Sequence, residues 1–237
     1  MKKYKGVLLD IDNTLYPYSV NHKRALSACI ENIASRHGFA ESFVKEAFCK
    51  GREEVKLELG EMAAAHNRLL YFKRMCEILS LNSLREASPL YELYWDVFID
   101  GIEPFEKMDV FMASLSDKKI VFLTDLTADI QLRKIKKLGL QDSADFLVTS
   151  EEAGYDKPHP HMFLHALHKL RMNVNDVVMI GDNINRDIRG ASRLGIDSIW
   201  IWPVPSDRSL PDKCRQVTTM EELYELFKEG AFAKRDG

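Results

Sequence analysis

Two carboxylates one residue apart, Asp10 and Asp12, stand at the end of the apolar run Gly6-Val7-Leu8-Leu9. Val7, Leu8, Leu9 and Ile11 read as a buried strand of a parallel sheet, and open α/β sheets bind ligands beyond the carboxyl ends of their strands. Where the strand ends, two acids can take different duties around one centre, nucleophile and proton donor. A strand-end Asx turn is the plain alternative for this pair taken alone. Further along, Thr124 and Asp125 close the run Phe122-Leu123. A hydroxyl there, with free backbone N–H groups, can hold a phosphate oxygen, and it can equally cap a helix. Lys157 lies in the loop Gly154-Tyr155-Asp156-Lys157-Pro158, where by itself it reads as a solvated lysine. Asp182 follows Ile180-Gly181, and Asp187 comes shortly after it. Acids converging from two strand ends suit a hard cation such as Mg²⁺.

These side chains need a scaffold that delivers them to one edge. From Lys118 onward strand and helix alternate: strands over Ile120–Leu123, Phe146–Val148, Val177–Ile180 and Ser198–Trp202, helices over Ala128–Leu138, Pro160–Leu170 and Ile184–Leu194. This rhythm predicts an α/β fold with a Rossmann-like, doubly wound parallel sheet to which the first strand also belongs. Between the first strand and Lys118 the texture is helical. One helix runs from about Val20 to His37 and stops at Gly38, a second carries Phe39, Phe43, Phe48 and Val55, and a third carries Leu69, Phe72, Met75 and Leu79. A fourth is expected to open with Ser88 as N-cap and Pro89 at its first position. Together they predict a four-helix-bundle cap inserted after the acidic strand end, where a lid over a site would stand. The core is thus expected at 1–15 and 104–230, the cap at 16–103, and a frayed tail at 231–237.

Each of these side chains lies, in chain order, at or just past the C-terminal end of an expected strand. The set resembles the haloacid dehalogenase superfamily of phosphohydrolases, whose pattern is an aspartate pair, a Thr/Ser, a Lys and a Gly-Asp-type acidic loop on a Rossmann-like sheet with a helical cap. The resemblance covers essentially the whole chain. The runs DIDNTLYPYS and LTDLTADIQLRKIKKLGL look like the small-molecule phosphatase and pyrimidine 5′-nucleotidase-like members. The resemblance implies that Asp10 is the nucleophile and Asp12 the acid and base, with Thr124, Asp125 and Lys157 at the phosphate. It also implies Mg²⁺ held by Asp10, the Asp12 carbonyl, Asp182 and Asp187. Asp125 stands where relatives often carry Asn; an acid there would repel substrate, so it is expected to turn away toward backbone or a basic group.

The implied activity is hydrolysis of a small phosphate monoester, a nucleoside 5′-monophosphate or a sugar phosphate, through an aspartyl-phosphate. A phosphomutase of the same superfamily keeps both aspartates. A 2-haloacid dehalogenase needs neither the proton of Asp12 nor a metal, because halide leaves without them. A phospho-accepting signalling domain shares the Asp, Thr/Ser, Lys and Mg²⁺ but needs no helical insertion. The formal net charge of -3 gives no bulk attraction to nucleic acid polymers or anionic membranes. No segment approaches the roughly 20 apolar residues that span a bilayer. Four scattered cysteines, with no CxxC, fit reduced thiols in a cytoplasmic protein. A monomer or weak homodimer is expected. His161 and His165 invite a transition-metal site that their helix does not complete. His22, Lys23 and Arg24 are the candidates for substrate contact from the cap.

Overall fold

The computed structural model describes residues 4–60, 62–204 and 209–228. The expected frayed tail, 231–237, lies outside them, as do the last two residues of the expected core. Strand β1 (Gly6–Leu9) is followed by four helices, α1 (Tyr18–His37), α2 (Glu41–Leu59), α3 (Arg68–Ile78) and α4 (Ser83–Asp100), with a 3₁₀ turn at Ala63–His66 between α2 and α3. Then come α5 (Met108–Ser114), β2 (Lys119–Thr124), α6 (Ala128–Lys137), β3 (Phe146–Thr149), α7 (Ser150–Ala153), α8 (Pro160–Leu170) and β4 (Val177–Gly181). A π turn at Ile184–Ile188 leads into α9 (Arg189–Arg193), β5 (Asp197–Ile201), β6 (Cys214–Val217) and α10 (Met220–Lys228).

All strand pairs are parallel, in the order β3-β2-β1-β4-β5-β6. Because β1 takes β2 on one side and β4 on the other, the chain reverses its winding at β1, which opens a crevice at the carboxyl edge. The register sets Leu9 level with both Phe122 and Ile180. Three strand ends therefore open on the same crevice, with Asp10, Thr124 and Asp182 at its rim.

Alternation along β1 feeds both faces of the sheet. Val7 and Leu9 join the apolar cluster that contains Phe111, Ile130 and Leu223, from α5, α6 and α10. Leu8 joins Met162, Phe163 and Ala191, from α8 and α9, on the other side. Covered on both faces, β1 carries only apolar residues and glycine, and every one is buried. The first cluster runs on without a break into the helical insertion through Leu15, Tyr16, Tyr94, Trp95 and Phe98. Where the chain leaves and re-enters the sheet layer, the Phe105 amide donates to the Leu15 carbonyl at 2.9 Å.

Several boundaries differ from the expected ones. Helix α4 does not open at Ser88 and Pro89: Asn82 caps it, its side chain accepting from the Leu84 amide at 3.1 Å, and Pro89 sits inside the helix on its exposed side. The start was hidden because Glu86, which reads as a solvent residue, is buried and held by both Nη atoms of Arg36 at 2.7 and 3.1 Å. The single helix expected over Ile184–Leu194 is a π turn and a short helix, since Asn183 closes the turn by accepting from the Asn185 and Arg186 amides. Strand β5 ends at Ile201, so Trp202 lies beyond it. The short elements α5, β6 and α10 were not foreseen.

Candidate active site

The carboxyl edge and the insertion enclose a cavity of about 200 Å³. Asp10, Asp12, Thr124, Asp125, Lys157, Asp182 and Asp187 all line it, so every residue singled out from the strand ends meets there.

Asp10 is buried, and its two oxygens are held apart by different donors. Lys157 Nζ donates to Oδ1 at 2.5 Å and Thr14 Oγ1 to Oδ2 at 2.8 Å. Lys157 is no surface lysine. Its side chain is 2% exposed, and Nζ also meets Asp187 Oδ1 at 2.8 Å and the Leu123 carbonyl at 2.9 Å. Burial opposes its charge, but Asp10, Asp187 and Asp125 around it hold its pKa well above the ordinary lysine range.

Asp12 points to a separate set of donors, contributed by α6 and the start of the insertion. Lys134 Nζ lies 2.8 Å from each of its oxygens, Gln131 Nε2 lies 3.4 Å from Oδ2, and the Tyr16 hydroxyl donates to Oδ1. Lys134 is fully buried, its ammonium 5.3 to 5.5 Å from the ring centres of Trp95, Phe98 and Tyr18. Gln131 also donates to Thr124 Oγ1 at 2.9 Å and to the Asp125 carbonyl at 2.7 Å, tying the end of β2 to Asp12. Past Thr124 the backbone turns through Leu126 at φ 84°, a conformation that side-chain-bearing residues seldom adopt and that concentrates at functional sites.

Asp125 does turn aside. Its Oδ1 accepts from the Lys157 amide at 2.9 Å and its Oδ2 from Arg186 Nη1 at 2.7 Å. Arg186 Nη2 reaches His66 Nε2 at 3.1 Å, and His66 Nδ1 lies 2.5 Å from Asp156. This chain of contacts joins the sheet edge to the insertion. On the β4 side the indole of Trp200 donates to the Asp182 carbonyl at 2.6 Å, which fixes the acidic loop. Gly181 is required there: a Cβ would stand 2.4 Å from Asp187 Oδ2. The Asn183 side chain closes the turn, and its backbone amide donates to Asp187 Oδ2 at 3.0 Å.

Asp10, Asp182 and Asp187 each offer a carboxylate oxygen, all within 4.8 Å of one another. Lys157 meets Asp10 and Asp187 and Lys134 meets Asp12, so these three carboxylates share two ammonium groups at contact distance. Burial and the neighbouring acids raise Asp10 to about 7 and Asp182 to about 8. Hard oxygen donors gathered in this way fit a divalent cation of the Mg²⁺ kind.

The cap candidates read from the sequence do not reach the cavity. Lys23 and Arg24 are exposed, and His22 Nδ1 bonds the Tyr94 hydroxyl at 2.6 Å inside the insertion. The insertion presents Tyr18, His66 and Arg68 instead. His161 and His165 form no metal cluster among the described residues; their rings lie 6.5 Å apart, and His165 meets Glu152 at 3.2 Å. Gln131 and Lys134 were missed although they lie on the apolar stripe of α6, with Ile130 and Ile135. A lysine on a buried stripe was the available signal.

A parallel sheet reversing at an acidic strand, with acids and a lysine gathered at its carboxyl edge under a helical insertion, defines a phosphohydrolase of the haloacid dehalogenase type. A profile of the haloacid dehalogenase-like hydrolases matches residues 4–195, and the chain belongs to that family. It is 37% identical over 228 residues to the ribulose-1,5-bisphosphate 5-phosphatase of Halopiger xanaduensis, a match covering 93% of this chain and 94% of that one. It is 28% identical over 199 residues to the glyceraldehyde 3-phosphate phosphatase of Methanopyrus kandleri, covering 83% of each. In fold it resembles a 2-haloacid dehalogenase from Pseudomonas syringae, with a TM-score of 0.74, 24% identity and coverage of 96% and 100% of the two chains. The protein is a phosphoric monoester hydrolase of this family.

Proposed function

We propose that the protein is a Mg²⁺-dependent phosphatase that hydrolyses a small sugar phosphate through an aspartyl-phosphate on Asp10. The observation that carries this reading is the division of labour between two acids: Asp10 is gripped by Lys157 and Thr14, Asp12 by Lys134, Gln131 and Tyr16. The names of the two relatives, both phosphatases of sugar phosphates, favour that class over nucleotides.

In this reading an Asp10 oxygen attacks phosphorus while the ester P–O bond breaks, and Asp12 gives its proton to the leaving alkoxide. Asp12, now a carboxylate, takes a proton from water as the water oxygen attacks the acyl phosphate. The bond from phosphorus to Asp10 then breaks, releasing inorganic phosphate. Thr124 and Lys157 face the phosphoryl oxygens, and Lys157 offsets charge on nucleophile and phosphate together. Asp10, Asp182, Asp187 and the Asp12 carbonyl would hold Mg²⁺, whose charge lets an anionic nucleophile approach an anionic ester. Asp12 argues against the dehalogenase and Lys134 beside it gives the acid/base group a fixed seat. The four free cysteines agree with a cytoplasmic setting, and among the described residues no helix is long and apolar enough to cross a membrane.

The test is a panel of phosphomonoesters assayed with Mg²⁺ against an Asp10→Asn control. Sugar phosphates should be cleaved well above the control, and EDTA should abolish the difference. A panel in which no ester exceeds the control overturns the reading.

A further inference from the structure

The acids hold Lys157 at its tip, and a ring of contacts holds the peptide that carries it. The Lys157 amide donates to Asp125 Oδ1 at 2.9 Å, Arg186 Nη1 donates to Asp125 Oδ2 at 2.7 Å, and Arg186 Nη2 donates to His66 Nε2 at 3.1 Å. His66 Nδ1 lies 2.5 Å from Asp156 Oδ2, and Asp156 is the residue before Lys157, so the ring closes on the lysine where it began. Lys157, Asp125, Arg186 and Asp156 belong to the sheet edge; His66 alone comes from the insertion.

The backbone repeats the contact. Met62 pairs with Tyr155 in an antiparallel bridge, and the Ala63 amide faces the Gly154 carbonyl at 3.5 Å, so the 3₁₀ segment of the insertion lies along the residues just before the lysine. A guanidinium can only donate, which fixes Nε2 of His66 as an acceptor and puts the ring proton on Nδ1, against Asp156. Asp156 is buried, and among the described residues its Oδ1 has no hydrogen-bond partner, so the carboxylate depends on its contact with His66. Taking the partner from a buried charge costs more than the contact is worth, because the charge is left uncompensated and the chain that carries it moves toward water. That chain is the one that places Lys157.

We propose that His66 is a positioning residue, by which the insertion holds the 154–157 loop and, through that loop, the place of Lys157 beside Asp10. This rests on the phosphatase reading, in which Lys157 offsets charge on nucleophile and phosphate. Docking of the 3₁₀ segment and placement of the lysine are then one event, and losing His66 acts on every ester alike. A displacement of about 1 Å at a catalytic group costs about 10²-fold in rate.

His66→Ala removes the imidazole, and His66→Phe keeps a ring without the nitrogens. In both, exchange of the Lys157 amide, followed by NMR, is expected to quicken about tenfold or more, while the Asp10 amide, bonded to the Ile180 carbonyl in the sheet, keeps its rate. With Mg²⁺ and p-nitrophenyl phosphate, kcat should fall about tenfold to hundredfold and KM stay within about threefold. His66→Asn offers an amide N–H where Nδ1–H stood, and it should recover the slow exchange and most of kcat. Unchanged exchange at Lys157 overturns the proposal, as does equal quickening at Asp10, which would mean a general loosening. A raised KM with kcat kept also overturns it, because His66 would then touch substrate instead of placing the lysine. If the unmodified protein leaves p-nitrophenyl phosphate intact, the phosphatase reading falls by itself, and the Lys157 amide decides alone: faster exchange in both variants keeps His66 as the holder of the loop, and unchanged exchange removes it.

Discussion

Asp12 is two residues from Asp10, the proposed nucleophile, yet among the described residues it shares no hydrogen-bond donor with it. That separation makes the two chemical steps separable by substitution. In Asp12→Asn the first step on p-nitrophenyl phosphate needs no proton for its leaving phenolate, whereas hydrolysis of the acyl phosphate still needs a base. Stopped-flow absorbance should therefore record a burst of nitrophenolate equal to the enzyme present, followed by turnover slowed about 10²-fold to 10⁴-fold. Slow release without a burst would mean that Asp12 acts in the first step even for a good leaving group. The residues at the strand ends were legible because carboxylates, a hydroxyl and a lysine in a fixed order are rare beside buried strands. Tyr16, Gln131, Lys134, His66 and Arg68 were not, because each contacts the site through tertiary packing that no spacing announces.

The helices of the insertion were legible from their apolar periodicity and from Gly38, whose φ of 72° ends α1. Helix α4 misled because a Ser-Pro pair imitates a helix start in the middle of one, while the true cap is Asn82. Tertiary contact overrode local preference: Glu86 is buried against Arg36, and Leu90, Tyr94, Trp95 and Phe98 carry the same face onward into the core. Proline in a helix interior costs about 3 kcal/mol relative to alanine, and it repays about 0.4–1 kcal/mol by restricting the unfolded chain. Pro89→Ala, at an exposed position, is therefore expected to stabilise the protein by about 2–2.6 kcal/mol, a rise of roughly 4–10 °C in Tm, with turnover unchanged. A thermal melt followed by circular dichroism checks it; an unchanged or lowered Tm would show that the helix is built around the missing amide.

Across the whole molecule, the reversal of the sheet at β1 gathers four acids beside the helical insertion, so stability is expected to depend on pH and on a bound divalent cation. Without a cation, burial and mutual repulsion raise Asp10 to about 7 and Asp182 to about 8 in the folded protein, against 3.8 for an ordinary aspartate. The folded state then keeps protons that the unfolded chain has already lost, so each group's contribution is complete below about pH 4 and is lost as pH rises through 7 to 8. In EDTA the protein should melt at a higher temperature at pH 6 than at pH 9. Mg²⁺ competes with those same protons, so its stabilisation should run the other way, small at pH 6 and large at pH 9. At a hundredfold excess over its Kd the ion adds about 2.7 kcal/mol, roughly 5–10 °C in Tm for a chain of this size. Thermal denaturation at the two pH values, with EDTA and with Mg²⁺, measures all four states. Equal Mg²⁺ shifts at both pH values would mean that the acids are already ionised when the cation arrives, and that Lys157 and Lys134 alone balance them.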